Sequence, residues 1–254
     1  MSELTPLQTV MAHLEGSRAQ TLFKRVDEFR SILVKWCSVF LLFVAIGFYY
    51  AQNIINILKI PLRDALPGQG EVLHFTGPLE VMMAYMKVAF LLAFLLSLPM
   101  GMYLIWRFLI TAFPERSHRL VVPFFISSLL LFALGVTFCY FVMLPVGLKW
   151  LIGFGGDQAA AIITVGEYVD MLIFMIVAFG LAFQLPLGII AIERLGLVEE
   201  STLKKHRGGI LVAILTAAAI IAPSPDPMSQ IALAVPMYLM FEAALIVIAR
   251  MKKA

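Results

Sequence analysis

The sequence predicts an all-α integral membrane protein with six transmembrane helices, both termini cytoplasmic, and short fifth and sixth helices. Three observations carry that expectation. Of 254 residues, 61% are hydrophobic and only 14% charged, which is too apolar for a soluble domain of this length. Several nearly uncharged runs reach about 18 residues or more, enough to cross a hydrocarbon core of roughly 30 Å as helix. Lysine and arginine are spread unevenly between alternate loops, and that asymmetry sets orientation.

The first crossing is expected over residues 32–50, behind a polar and charged arm of residues 1–31. That arm has no short apolar core followed by a small-residue cleavage site, so the first helix is expected to stay rather than be removed as a signal peptide. The outer segment 51–80 includes "KIPLRDALPGQGEVLHFTGPLE", long enough for a structured cap in which Pro61, Pro67 and Pro78 fix the bends; a flexible loop is the alternative. The second, third and fourth crossings are expected over 81–110, 121–144 and 168–192. The fifth and sixth fall at 208–222 and 231–249, separated by Pro-Ser-Pro-Asp-Pro, a turn that neither helix can contain. Fifteen residues of helix rise only about 22 Å, so the fifth crossing is expected to thin the bilayer or sit unevenly in it. With no tandem repeat and no low-complexity stretch, residues 1–254 read as a single integral membrane domain.

Orientation follows from the basic residues. Arg18, Lys24, Arg25 and Arg30 precede the first span; Arg107, Arg116 and Arg119 follow the second; Arg194, Lys204, Lys205 and Arg207 follow the fourth; Arg250, Lys252 and Lys253 end the chain. The other three loops hold only Lys59, Arg63 and Lys149. Positive charge stays on the cytoplasmic side, so the Pro-Ser-Pro-Asp-Pro turn should face outward.

Enzymatic chemistry is not spelled out. There is no HExxH, no Gly-x-Ser-x-Gly, no Walker loop and no pair of intramembrane aspartates at catalytic spacing. Cys37 and Cys139 have no partner cysteine or nearby histidine, and all four histidines lie outside the apolar runs, so neither a metal nor a cofactor is implied. Nothing in the pattern calls for nucleic acid.

The informative residues are therefore the polar ones at membrane depth, which are costly unless paired or hydrated. Lys35 and Lys87 sit near the starts of their helices and can snorkel to opposite interfaces. Gln184 lies nine residues before Glu193, roughly 13 Å into the membrane, with Pro186 just after it. The proline frees a backbone carbonyl one turn earlier, and an amide beside it makes a polar notch. The amide either bonds that carbonyl or meets a partner helix. Glu242 in the sixth span is a second candidate, for a partner or for an internal pair. On the cytoplasmic arm, "RVDEFRSIL" sets Asp27 and Glu28 beside Arg30. Carboxylates on a basic face suit a ligand that carries arginines, through bidentate hydrogen bonds; a solvated turn with local ion pairs is the alternative.

These elements resemble the TatC component of the twin-arginine protein translocase over nearly the whole chain. "RVDEFRSIL" is similar to the family's N-terminal His-Leu-x-Glu-Leu-Arg element, with Glu28 and Arg30 in the acidic and basic places and Arg25 where histidine is usual. "LKIPL" supplies the outer-loop proline, Pro61. "LPMGMYLIWRF" resembles the end of the second span, with Pro99, Tyr103, Trp106 and Phe108, and "RLVVPFFISSLLLFALGVTFCYFVMLP" resembles the third. "PDPMSQIALAVPMYLMFE" places Asp226, Gln230 and Glu242 at family positions. Two departures stand out: Ser117 occupies the place of a family glutamate, with Glu115 two residues earlier, and Gln184 replaces the glutamate of the fourth span.

The resemblance implies a receptor in the bacterial plasma (inner) membrane that binds twin-arginine signal peptides of folded cargo. Glu28, Arg30, Phe108, Glu115 and Ser117 would form the peptide site. Gln184, Glu242, Asp226 and Gln230 would meet TatA- and TatB-type single-span subunits, with self-association in the receptor complex, the lipid bilayer around it and export driven by the proton-motive force. The rival expectation is a proton-coupled small-molecule secondary transporter with Glu242 and Gln184 as its site.

Overall fold

The computed structural model describes residues 6–65, 73–111, 121–154, 163–194, 196–221 and 227–253. Ten α-helices account for nearly all of them: α1 (Pro6–Leu58), α2 (Ile60–Ala65), α3 (Pro78–Thr111), α4 (Val121–Phe138), α5 (Leu144–Phe154), α6 (Val165–Ala182), α7 (Leu185–Arg194), α8 (Glu200–Lys205), α9 (Arg207–Ile221) and α10 (Pro227–Lys253). A π-helical segment, Cys139–Met143, joins α4 to α5. Among the described residues the only extended pairing is one isolated parallel bridge between His74 and Thr164.

Five segments are long and apolar enough to cross a membrane: Arg30–Asp64, Pro78–Arg107, Val121–Trp150, Val165–Arg194 and Gln230–Met251; Arg207–Ile220 is a shorter apolar helix. Where the sequence reading stopped the first span at residue 50, α1 continues to Leu58, because polar residues such as Gln52 and Asn53 do not break a helix. Pro61 ends it. The sixth span is also not short. Its apolar stretch runs 22 residues, about 33 Å of rise, and the helix continues to Lys253. Pro227 is tolerated at its first position, and the basic residues at its end complement the helix dipole rather than terminate the helix. The short fifth helix remains, with α9 spanning 15 residues.

The contacts fix the directions of the rods. Trp36 Nε1 donates to the Ser97 carbonyl at 3.2 Å, and Gly47 lies against Ala89, so α1 and α3 run antiparallel. A side chain at Gly47 would place Cβ 2.6 Å from the Ala89 oxygen, so only glycine permits this approach. Glu80 bonds Gly166 and Lys87 bonds Asp170, so α3 and α6 are parallel neighbours. Gly135 against Phe179 and Ser128 against Gln184 run α4 antiparallel to α6. Gln230 to Leu215 and Glu242 to Arg207 close α9 and α10 as a hairpin.

The core gathers Val88 and Leu91 of α3, Leu172 and Phe179 of α6, and Phe241 and Leu245 of α10, all buried. Lipid tails are as apolar as leucine, so this core holds through close packing and hydrogen bonds rather than exclusion from water. Two of the rods are bent for identifiable reasons. Pro186 lacks an N–H and its ring crowds the Ala182 carbonyl, so the helix breaks at Phe183–Gln184 and resumes as α7, with Gly188 N–H donating to Gln184 O at 3.0 Å. Pro145 likewise follows directly on the widened π-helical turn, where Leu144 N–H reaches back to Cys139 O.

Candidate functional site

All the rods except α2, α5 and α6 begin or end at one face of the bundle, which carries Arg30, Arg107, Arg194, Lys204, Lys205, Arg207 and Arg250. This terminal face is rich in lysine and arginine but also carries Glu193, Glu199 and Glu200. Asp27 and Arg30 on α1 are exposed there. Glu28 belongs to α1 and Phe108 to α3, but their side chains lie outside the described residues, as do Glu115, Ser117 and Asp226 altogether.

Inside the bundle, Gln184 sits at the break between α6 and α7. Its Oε1 accepts from Ser128 Oγ at 2.6 Å and its Nε2 donates to the Ser128 carbonyl at 3.1 Å. Ser128 Oγ also lies 3.4 Å from Met102 Sδ, so three rods meet at this neutral polar cluster. The amide thus bonds α4 rather than the carbonyl that Pro186 frees. Its partner was visible in the sequence as the Ser127-Ser128 pair in an otherwise apolar run, although that pair was passed over.

Glu242 accepts from Arg207 Nη2 at 2.9 Å and from Tyr238 Oη at 3.0 Å. Gln230 Nε2 donates to the Leu215 carbonyl at 3.0 Å. Glu242 therefore has the internal pair that sequence reasoning offered as one alternative. Gln184 and Glu242 are engaged separately, the first with α4 and the second with α9.

The opposite face is closed by bonds that sequence reasoning did not identify. Pro61 is buried in the first turn of α2 and cannot donate to the Ile57 carbonyl; Tyr140 Oη, carried on the π-helical segment, donates to that carbonyl instead at 2.7 Å. Tyr168 Oη donates to the next carbonyl, of Leu58. Glu80 accepts from Thr76 N–H and Oγ1 at 2.7 Å each and from Gly166 N–H at 2.8 Å, setting a carboxylate at the start of α6 where the helix dipole favours it. His74 N–H donates to Ile163 O at 3.0 Å and Val165 N–H to His74 O at 2.9 Å. Lys87 Nζ lies 2.6 Å from Asp170 Oδ1, so this lysine bridges two rods instead of snorkelling alone.

Rods of this length and apolarity, with a basic face at one end and polar clusters fully engaged within, define a multi-pass helical membrane protein. The chain belongs to the TatC family: the family model described as Sec-independent protein translocase protein (TatC) matches residues 24–236. Among its relatives named Sec-independent protein translocase protein TatC, that of Campylobacter jejuni is 32% identical over 89% of this chain and 91% of its own length. The Escherichia coli K12 relative is 30% identical over 88% and 86%, respectively. A solved structure titled as the crystal structure of the twin arginine translocase receptor TatC in DDM superposes with a TM-score of 0.78 at 31% identity, covering 88% of this chain and 98% of the other. The chain is thus a Tat translocase subunit, a multi-pass protein of the bacterial inner membrane.

Proposed function

We propose that this subunit crosses the membrane six times as one integral domain, with both termini in the cytoplasm, and reads twin-arginine signal peptides on its basic terminal face. One observation carries the reading. The α1 stretch has Asp27 and Arg30 exposed, with Glu28 between them in sequence, at the end of the bundle that is rich in lysine and arginine. A guanidinium ligand needs carboxylate acceptors, which lysine and arginine cannot supply. Glu28 is the main carboxylate, Arg30 belongs to the same peptide site, Phe108 packs on the apolar part of the signal, and Glu115 substitutes for the acid missing at Ser117. TatA- and TatB-type subunits gather along the short α9 and the longer α10 near Asp226, Gln230 and Glu242, and beside Gln184, with Pro61 shaping the outer cap. Transport draws on the proton-motive force.

The test is binding of a labelled twin-arginine peptide to the purified protein, with a twin-lysine peptide as control. Glu28→Gln is expected to weaken binding about tenfold to a hundredfold, from loss of a charge-assisted pair of about 1.5–3 kcal/mol, while fold and topology survive. Glu115→Gln should also weaken binding, and Glu115→Gln with Ser117→Glu should restore it. Equal binding of both peptides, or unchanged affinity in Glu28→Gln, would sink the reading. Cysteines placed at Pro61, Gly156 and Ser224 should label from outside, and those at Ser117 and Ser201 only after the membrane is opened; outside labelling at Ser117 would overturn the orientation.

A further inference from the structure

Lys87 and Asp170 form a charged pair on the lateral surface of a membrane-spanning bundle. Lys87 Nζ reaches both carboxylate oxygens of Asp170, at 2.6 and 2.8 Å, yet the two side chains stay 40% and 58% exposed. Both residues lie within apolar spans, and their exposed neighbours are Met83, Met86 and Phe90 on α3 and Phe174 on α6. Such neighbours face acyl chains.

Depth follows from helix geometry. Asp170 is five residues into α6 and Lys87 nine into α3, about 7 and 13 Å along their axes. Helical side chains lean towards the N-terminus, which for both rods is the face with His74, Glu80 and Thr164, so the charges are carried back towards that polar belt. The pair therefore sits roughly one turn inside the belt, at the depth where lipid headgroups give way to tails.

The pair leaves capacity unused. An ammonium has three donors and a carboxylate about four acceptor sites, and the two groups consume only part of each. An open charged pair beside hydrocarbon is costly unless a further polar group covers it. Its net charge is zero and its two poles are adjacent, so an anionic headgroup would meet Asp170 as a repelling neighbour. A zwitterion with an acceptor oxyanion and a donor ammonium matches both poles. We infer that Lys87 and Asp170 hold the headgroup of a zwitterionic phospholipid bearing a primary ammonium, its phosphate on Lys87 and its ammonium on Asp170, with its chains along Met83, Phe90 and Phe174. A choline headgroup has the same charges but no N–H to donate, and it fits less well.

The experiment is native mass spectrometry of the full chain released from mixed vesicles of dioleoyl phosphatidylethanolamine, phosphatidylcholine and phosphatidylglycerol in equal parts. The wild type is expected to retain the ethanolamine lipid over the other two by about threefold to tenfold, the scale of one partly exposed charge-assisted bond. Lys87→Met with Asp170→Leu should abolish that preference while elution and helical signal are kept. The exchanged pair, Lys87→Asp with Asp170→Lys, should retain it, because a zwitterion can turn round in the site. Equal retention of the three lipids by the wild type would overturn the inference, as would an ethanolamine preference that survives the apolar double variant. Cross-linking of an Asp170→Cys variant to a single-span subunit in native membranes, without any lipid preference, would assign the pair to a partner helix instead.

Discussion

The two faces of the bundle are held by different kinds of bond. On the face away from the termini, side chains and backbone from distant parts of the chain take each other's hydrogen-bonding groups: Tyr140 and Tyr168 on the carbonyls that end α1, Glu80 on Thr76 and Gly166, His74 on Ile163 and Val165. On the terminal face Arg207 ties α9 to Glu242 of α10, and Lys204 pairs with Glu200 within α8, both contacts between side chains that are at least partly exposed. Backbone groups cannot be left bare in lipid, so bonds to them are conserved through any motion; a surface ion pair can be exchanged for another charge at little cost. Bonds to backbone groups therefore hold the first face, whereas the described ion pairs of the second are between side chains and can be exchanged.

Four substitutions can break this contrast, and the largest effect is expected where rods touch. Gly47→Val sets new carbons against the Ala89 backbone and should cost about 3 kcal/mol, read as a lowered midpoint of denaturant unfolding in detergent. A normal midpoint would mean that α1 and α3 separate freely. Tyr168→Phe leaves the Leu58 carbonyl without its partner and should cost about 1–3 kcal/mol in the same assay, with peptide binding kept.

Gln184→Leu removes the amide that ties α7 to Ser128. Interhelical bonds in membranes average well under about 2 kcal/mol, so both stability and partner-helix contact should fall only partly. Full transport by this variant would leave Gln184 with a packing role alone. The smallest effect belongs to Arg207→Gln, about 0.2–1 kcal/mol, because its ion pair is nearly half exposed on the arginine side. A loss there larger than that of Tyr168→Phe would reverse the contrast between the faces.

What the sequence made legible was governed by length and composition. Apolar runs located the rods, and the Pro-Ser-Pro-Asp-Pro turn marked a boundary, because both signals are local. Helix ends were less legible: the expected spans stop at residues 50 and 249, whereas α1 runs on to Leu58 and α10 to Lys253, because neither polarity nor charge stops a helix. Pairings were least legible of all. Gln184 could be singled out as a polar group at depth, but its partner Ser128 is 56 positions away, and Lys87 was read alone because Asp170 lies 83 positions further on. Only the packing of rods brings such residues together.

That separation along the chain has a consequence in time. Glu80 and Lys87 belong to α3, the second of the long apolar helices to be synthesised, but two of the groups they bind, Gly166 N–H and the Asp170 carboxylate, are 86 and 83 positions later. During synthesis from the N-terminus, α3 enters the bilayer with an ammonium whose partner Asp170 has not yet been made, and with a carboxylate held only by the neighbouring Thr76 until α6 arrives. The far face is therefore sealed late in biogenesis. Until then these two charges must be accommodated by water, headgroups or the insertion machinery, and any delay in α6 prolongs the most polar moment in the assembly of the protein.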